Sequence, residues 1–185
     1  NVFFQRFDAA GTALGGAVQV DAGIAPVSGA AVASDAAGDF TVAYRAQNVF
    51  APLSGVWVRG FNADGTSKFL WSQVDSGDAT SPSIDMASDG SFVVVYQKTG
   101  DALDVFARKY NASGSAAGAA FQVNQTTAND QSNASVAVID TNNYVVAWSG
   151  KSAGDTKGVV VRQYALSVQI TAAQDTYINS GSTSN

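Results

Sequence analysis

Pro82-Ser-Ile-Asp-Met-Ala-Ser-Asp-Gly-Ser-Phe-Val-Val-Val-Tyr96, followed by Val105-Phe-Ala-Arg-Lys-Tyr110, decides the reading of this chain, because copies of both pieces stand before and after it. Gly38-Asp-Phe-Thr-Val-Ala-Tyr44, Gly90-Ser-Phe-Val-Val-Val-Tyr96 and Asn142-Asn-Tyr-Val-Val-Ala-Trp148 are separated by steps of 52 residues. A second block runs Val2 to Phe7, Val56 to Phe61, Val105 to Tyr110 and Val159 to Tyr164, at spacings of 54, 49 and 54, so the length differences fall in connections. A third block is a turn, Asp8 to Gly11, Asn62 to Gly65 and Asn111 to Gly114, then a short strand ending Gln19-Val20, Gln73-Val74 and Gln122-Val123. The chain therefore holds three repeats and one extra strand. In such an array each unit buries its apolar face only against its neighbours.

Each block reads as strand. Phe3, Gln5 and Phe7 alternate with Val2, Phe4 and Arg6 at period two, with apolar residues on both faces, which suits a sheet covered on both sides. Asp or Asn opening a turn closed by Gly predicts a hairpin, since the Asx side chain bonds the backbone two residues on and Gly accepts positive φ. Further hairpins are expected over Ala30–Ser34 with Phe40–Arg45, Ser83–Ala87 with Phe92–Gln97, and Ser135–Ile139 with Tyr144–Ser149. Asp21 to Gly29 reads as a loop, and Ala46 to Gly55, Lys98 to Asp104 and Gly150 to Gly158 read as variable connections. Four short strands per roughly 50 residues result.

Composition agrees. All fifteen acidic residues are Asp, Leu is scarce and Gly occurs 18 times, a balance that favours turns over helix. With 185 residues and 46% hydrophobic content, one domain with a real core is the default. Cys is absent, so disulfide and thiolate chemistry are excluded. A net charge of −5 with ten scattered basic residues argues against a grip on nucleic acid. No apolar run approaches the roughly 20 residues of a membrane-spanning helix, so no membrane insertion is expected. The chain opens at Asn1 and reads as a processed or excised piece. Low charge and abundant Ala, Gly, Ser and Thr point to an extracellular or cell-surface setting.

The quoted blocks resemble a bacterial repeat with consensus near P-S-V-A-x-x-x-D-G-x-F-V-V-A-W, I-F-A-Q-R-Y-D-x-x-G and E-F-x-V-N, found in large secreted and surface proteins. The resemblance covers residues 1–164 and implies an all-β fold of β-propeller-like, four-stranded antiparallel blades. It departs at Asp85, where the other copies have Ala33 and Ala137, and at Ala165, where Asn or Asp would open the next turn. The array is therefore expected to end near Tyr164. Residues 165–185 then read as a strand or linker, because Ala173-Gln-Asp-Thr-Tyr-Ile-Asn-Ser-Gly-Ser182 resembles the opening of a DNRLRE-type domain, a jelly-roll module with carbohydrate-binding members.

The chemistry-bearing residues are few. Without His there is no Ser-His triad, His base or ordinary zinc site, so no enzyme is expected. Paired Asp residues could still serve a glycosidase, and Asp85, replacing a small apolar residue inside a strand, is the best single candidate for a ligand contact; an Asp at an edge or bonded to a loop N–H is the competing and more ordinary explanation. Asp75/Asp78 and Asp101/Asp104 read as solvated turn residues. Calcium is the metal that Asp oxygens suit, but the nearest fragment, Asn62-Ala-Asp-Gly65, is explained by a hairpin turn, so no cofactor is expected. Tyr44, Tyr96, Trp148, Phe40, Phe92 and Tyr144 recur and read as core. Trp57 and Trp71 are irregular among the copies. A sugar ring stacks on an exposed indole, so these are the candidate glycan-binding residues, with packing as the competing explanation.

The expected function is accordingly a non-catalytic extracellular repeat module acting in adhesion, glycan binding or scaffolding, with polysaccharide or other copies as partners. A subunit of a filament assembled by β-strand donation is the alternative. A fragment of a glycoside-acting propeller enzyme is the lesser one.

Overall fold

The structure, a computed structural model, describes residues 1–23, 25–47, 53–140, 142–152, 155–165 and 176–177. Strand follows strand with no helix among the described residues beyond a single 3-10 position at Leu53. The first sheet holds β1 (Phe3–Phe7) and β2 (Ala13–Gln19). The second is β3 (Val27–Ser34), β4 (Phe40–Ala46), β5 (Gly55–Phe61) and β6 (Ser67–Ser76). The third is β7 (Thr80–Met86), β8 (Phe92–Thr99), β9 (Leu103–Tyr110) and β10 (Phe121–Gln122). The fourth is β11 (Ser132–Asp140), β12 (Asn143–Ser152), β13 (Asp155–Tyr164) and β14 (Thr176–Tyr177). All pairings are antiparallel between strands adjacent in sequence, so each sheet is a meander.

The turn chemistry is as the residue types dictate. Asp8 Oδ1 accepts the amides of Ala10 and Thr12 at 2.9 and 2.8 Å, and Gly11 adopts φ +81°. Asn111 Oδ1 accepts the Ser113 and Ser115 amides, and Gly114 adopts φ +79°. At Asn62 to Gly65 the middle carboxylate, Asp64, takes the Thr66 amide at 2.8 Å and hydroxyl at 2.6 Å, closing a hairpin turn.

The repeat is also written in the backbone. The first strand of each four-stranded sheet breaks register at the same repeat position, between Ser28 and Ala31, Thr80 and Ser83, and Ser132 and Ser135. The residues at these breaks with positive φ are Gly29, Ser81 and Asn133, 52 apart like the motifs. The break is a β-bulge, which bends the strand and sharpens its twist.

The sheets stack face to face, and three apolar clusters lie between them. Val20, Val42, Tyr44, Ala46 and Phe61 bury with Val2 and Phe4 between the first and second sheets. Ala43, Val56, Val58 and Val74 meet Ile84, Phe92, Val94, Tyr96 and Tyr110 between the second and third. Val93, Val95, Val105 and Val123 meet Val136, Tyr144, Val146 and Trp148 between the third and fourth. The first strands of the four-stranded sheets touch in succession, β3 against β7 and β7 against β11. Each four-stranded sheet carries a cross-strand aromatic pair, Phe40/Phe61, Phe92/Tyr110 and Tyr144/Tyr164, stacked at 5.2, 4.8 and 4.7 Å. Such pairs add about 0.5–1.5 kcal/mol each beyond the area they bury.

A repeated arginine sets the register between sheets. Arg59 Nη1 donates to the carbonyls of Gln19 and Val20, Arg108 Nη1 to those of Gln73 and Val74, and Arg162 Nη1 to that of Val123. Each guanidinium thus reaches from the third strand of its sheet to the Gln-Val pair ending the preceding one. Position 5, which precedes Arg59 by one repeat, is Gln, and its side chain stays within its own sheet, on the Gly15 carbonyl.

Several expectations shift. The chain opens in a two-stranded sheet, and each four-stranded sheet starts with its Asp-Gly or Asn-Asn hairpin. The connections expected over Lys98–Asp104 and Gly150–Gly158 are mostly strand, since pairing continues to Thr99 with Leu103 and to Ser152 with Asp155. Ala46–Gly55 contains residues outside those described. Asp75 is not a solvated turn residue: it lies in β6, paired with Val56, and accepts bonds from the Tyr96 hydroxyl at 2.8 Å and Lys98 Nζ at 2.9 Å, joining the second sheet to the third. Asp104 likewise accepts the Asn124 amide at 2.6 Å. Thr176–Tyr177, beyond the expected end of the array, pair with Val160 and Val161 as its last strand.

Candidate functional site

Trp57 and Trp71 come together. They line one cleft between the second sheet and the β2–β3 connection, with Asp21, Ala22, Gly23 and Ala25 of that connection and Val27, Tyr44, Ala46 and Leu53 around them. The cleft holds about 270 Å³, near the lower end of ligand-pocket volumes. Trp57 sits on β5 beside Tyr44 of β4, directly paired with it in register. Trp71 reaches the same place from β6, two residues before the Gln-Val pair, where the other repeats have Ala17 and Ala120. Only this sheet junction receives an indole from that position.

Both indole N–H groups are already bonded, Trp57 Nε1 to the Leu53 carbonyl at 3.2 Å and Trp71 Nε1 to the Val20 carbonyl at 2.6 Å. The Arg59 guanidinium lies over the Trp71 ring, 4.6 Å from its centroid. A cation on the π face fixes the ring. What these side chains offer a ligand is therefore ring surface. Trp71 remains 39% exposed, whereas Trp148, the repeat counterpart of Tyr44 and Tyr96, is buried and bonded to Gln131 Oε1.

Asp21 is the carboxylate at the cleft. Its Oδ1 accepts the Val2 amide at 2.7 Å, and its Oδ2 accepts the Gly23 amide at 2.8 Å and the Gln19 amide at 3.4 Å. Burial pushes this carboxyl up, but the hydrogen bonds outweigh it and hold it below the usual carboxylate range. Asp21 is thus ionised at neutral pH and lies buried at the wall of the cleft. The buried Tyr44 hydroxyl nearby is pushed far up, first by burial and then by the Asp21 charge, and stays protonated.

Asp85 stands apart from this cleft. Its Oδ2 accepts the Val138 amide at 2.6 Å, tying β7 to β11 across the third and fourth sheets. Of the recurrent aromatics, Tyr44, Tyr96, Trp148, Phe92 and Tyr144 are buried, whereas Phe40 is half-buried against Phe4 and Phe61. Among the described residues no three carboxylates converge as a metal cage would need. Sequence reasoning missed Arg59 and Asp21; the signal was there, because Arg59 recurs as Arg108 and Arg162, and Asp21 follows Gln-Val as Asp75 and Asn124 do.

No family model and no curated protein matches this chain. The class rests on the fold alone: an all-β chain of antiparallel meander sheets stacked face to face.

Proposed function

We propose that the chain is a non-catalytic, extracellular β-propeller-like repeat module of a surface or secreted protein, and that the Trp57–Trp71 cleft is its binding site for a sugar ring. The propeller-like arrangement is supported by the consecutive contacts of the first strands β3, β7 and β11 and by the bulge each carries at the same position. The observation that carries the binding reading is the convergence of two irregular tryptophans, on the adjacent strands β5 and β6, on one cleft with a half-exposed indole face. A pyranose presents an apolar C–H face to such a ring. Glycan recognition of this kind needs no metal and no general base. Adhesion or scaffolding at a polysaccharide surface follows from it. Retention on columns of immobilised amylose, chitin and cellulose tests the reading: the unaltered chain is retarded on at least one, and Trp71→Ala is not. Passage of the unaltered chain through all three removes it.

A second reading, assembly by β-strand donation, is favoured by one observation. The counterparts of β1 in the other sheets, β5, β9 and β13, each pair with an inner neighbour, whereas among the described residues β1 pairs with β2 alone. Val32 beside this gap is 65% exposed, while Ile84 and Val136 at the same repeat position are 7% and 8% exposed. An unpaired edge takes a strand from another segment. Deleting residues 1–7 then leaves monomers, and unchanged assembly counts against it.

A further inference from the structure

The two outermost sheet faces are the unmatched halves of an interface that the chain already makes internally. In the second and third sheets, the face turned toward the next sheet carries Thr41, Ala43, Val56 and Val58, then Val93, Val95, Val105 and Ala107, all buried. The fourth sheet carries Val145, Ala147, Val159 and Val161 at these positions, and there Val159 is 51% exposed and the other three are only half-buried. At the opposite end, the face of the first sheet turned away from the second carries Phe3 and Phe7, 55% and 59% exposed. The counterparts of Phe7 are Phe61 and Tyr110, both at or below 2% exposure, and Tyr164, half-buried.

We infer that a second copy of this chain docks head to tail, the outer face of its first sheet seating on the outer face of the fourth sheet. The occupant is fixed by continuity with the internal junctions: the face presented by Val145, Ala147, Val159 and Val161 is the one that elsewhere accepts Phe or Tyr from the following sheet. Gln5 replaces arginine at this junction, so the incoming face carries no guanidinium that would have to be buried without its carbonyl partners. The contact is heterologous, a different patch on each partner, so it propagates into a ring or an open filament. It uses sheet faces and leaves the free edge of β1 as it is, and it rests on neither reading above.

A heterologous junction makes a specific demand. Phe7→Asp blocks one end and Val159→Asp the other, so each variant alone is held at one chain. An equimolar mixture recovers one junction and gives a species of twice the 18.9 kDa of a single chain. Phe3→Asp and Val145→Asp form a second pair should either of the first fail to fold. Light scattering after size exclusion over a concentration series supports the inference if the unaltered chain exceeds the mass of one chain, as a fixed ring or a growing filament, while the single variants stay at one chain and the mixture gives two. An unaltered chain that stays at the mass of a single chain overturns it. So does association that persists in the single variants, which would assign assembly to another surface, or a mixture that remains monomeric.

Discussion

The Arg59 guanidinium lies 4.6 Å from the centre of the Trp71 ring while donating to the Gln19 and Val20 carbonyls, and the Trp71 indole N–H bonds to that same Val20 carbonyl at 2.6 Å. The contact that sets the register of the second sheet on the first therefore also holds the indole at the cleft. A ring fixed on one side by a cation loses little further freedom when a ligand covers what remains. The candidate site is an elaboration of the repeat's own inter-sheet joint.

The same joint without a cleft is found at Arg108, whose Nη1 donates to the Val74 carbonyl at 2.8 Å beside Tyr110. Arg108→Ala leaves that carbonyl without its charged donor and removes the packing of the side-chain stem. Bonds to charged groups contribute about 1.5–3 kcal/mol, so urea denaturation is expected to show a loss of about 2 kcal/mol. Arg108→Lys recovers only part of it, because one ammonium cannot reproduce the fork geometry.

Asp85 stands on β7 where the other copies have Ala33 and Ala137, and it caps the Val138 amide from the neighbouring sheet. Asp85→Ala restores the repeat consensus yet is expected to destabilise by about 1–2 kcal/mol, because the part-buried amide loses its acceptor. Hydrogen exchange at Val138 reads this directly. Its amide speeds up in the variant, while amides within β8 and β9 change only through the global stability.

Ser81 occupies the bulge position with φ +50°, where the first repeat has Gly29. A residue with a Cβ in that region is strained by roughly 1 kcal/mol or more. Because Ser81 is exposed, Ser81→Gly relieves that strain with no loss of core packing. Part of the gain is offset by the greater freedom of Gly in the unfolded chain. A net stabilisation of about 0.5 kcal/mol, read as a higher urea midpoint at unchanged m-value, is the expected outcome.

Acid acts on the junction of the second and third sheets through Asp75. Burial pushes this carboxyl up, but Lys98, the Tyr96 hydroxyl and the Ser76 amide together bring it below its unfolded value of 3.8. A depressed carboxyl means that the unfolded chain binds more protons just below pH 4. The stability from Asp75 is therefore complete above that pH and is lost as pH falls through the folded value. Asp75→Asn lowers stability at pH 7 and flattens the slope below pH 4, which denaturation at pH 7, 4 and 3 resolves. An unchanged slope contradicts this role for the carboxylate.

The strands, turns and recurrent core were legible because they obey local rules repeated at a fixed step. Asp8, Asn62 and Asn111 announce their turns, and Phe92 and Tyr144 mark their faces by position alone. The phase of the sheets was not legible, since the same string of strands can be grouped from Val2 or from Val27, and only the pairing of β3 with β4 decides it. Long-range partners were hidden for the same reason. Asp75 looks like a turn residue in a chain so rich in Asp, and Asp85 stands out only as a departure from Ala; their partners appear once a neighbouring sheet supplies Lys98, Tyr96 or Val138. Trp57 and Trp71 were singled out because they break the repeat. That they share one cleft follows from β5 and β6 being adjacent strands of a single sheet.

The central claim, a sugar ring on the Trp57–Trp71 cleft, is tested most directly by tryptophan emission during titration with maltohexaose, cellohexaose and chitohexaose. Trp148 is buried in the far junction, so a change reports the two cleft indoles. The account predicts a saturable shift with at least one of the three sugars, lost in Trp71→Ala. Emission unchanged by all three, or a shift of equal size that survives Trp71→Ala, contradicts it.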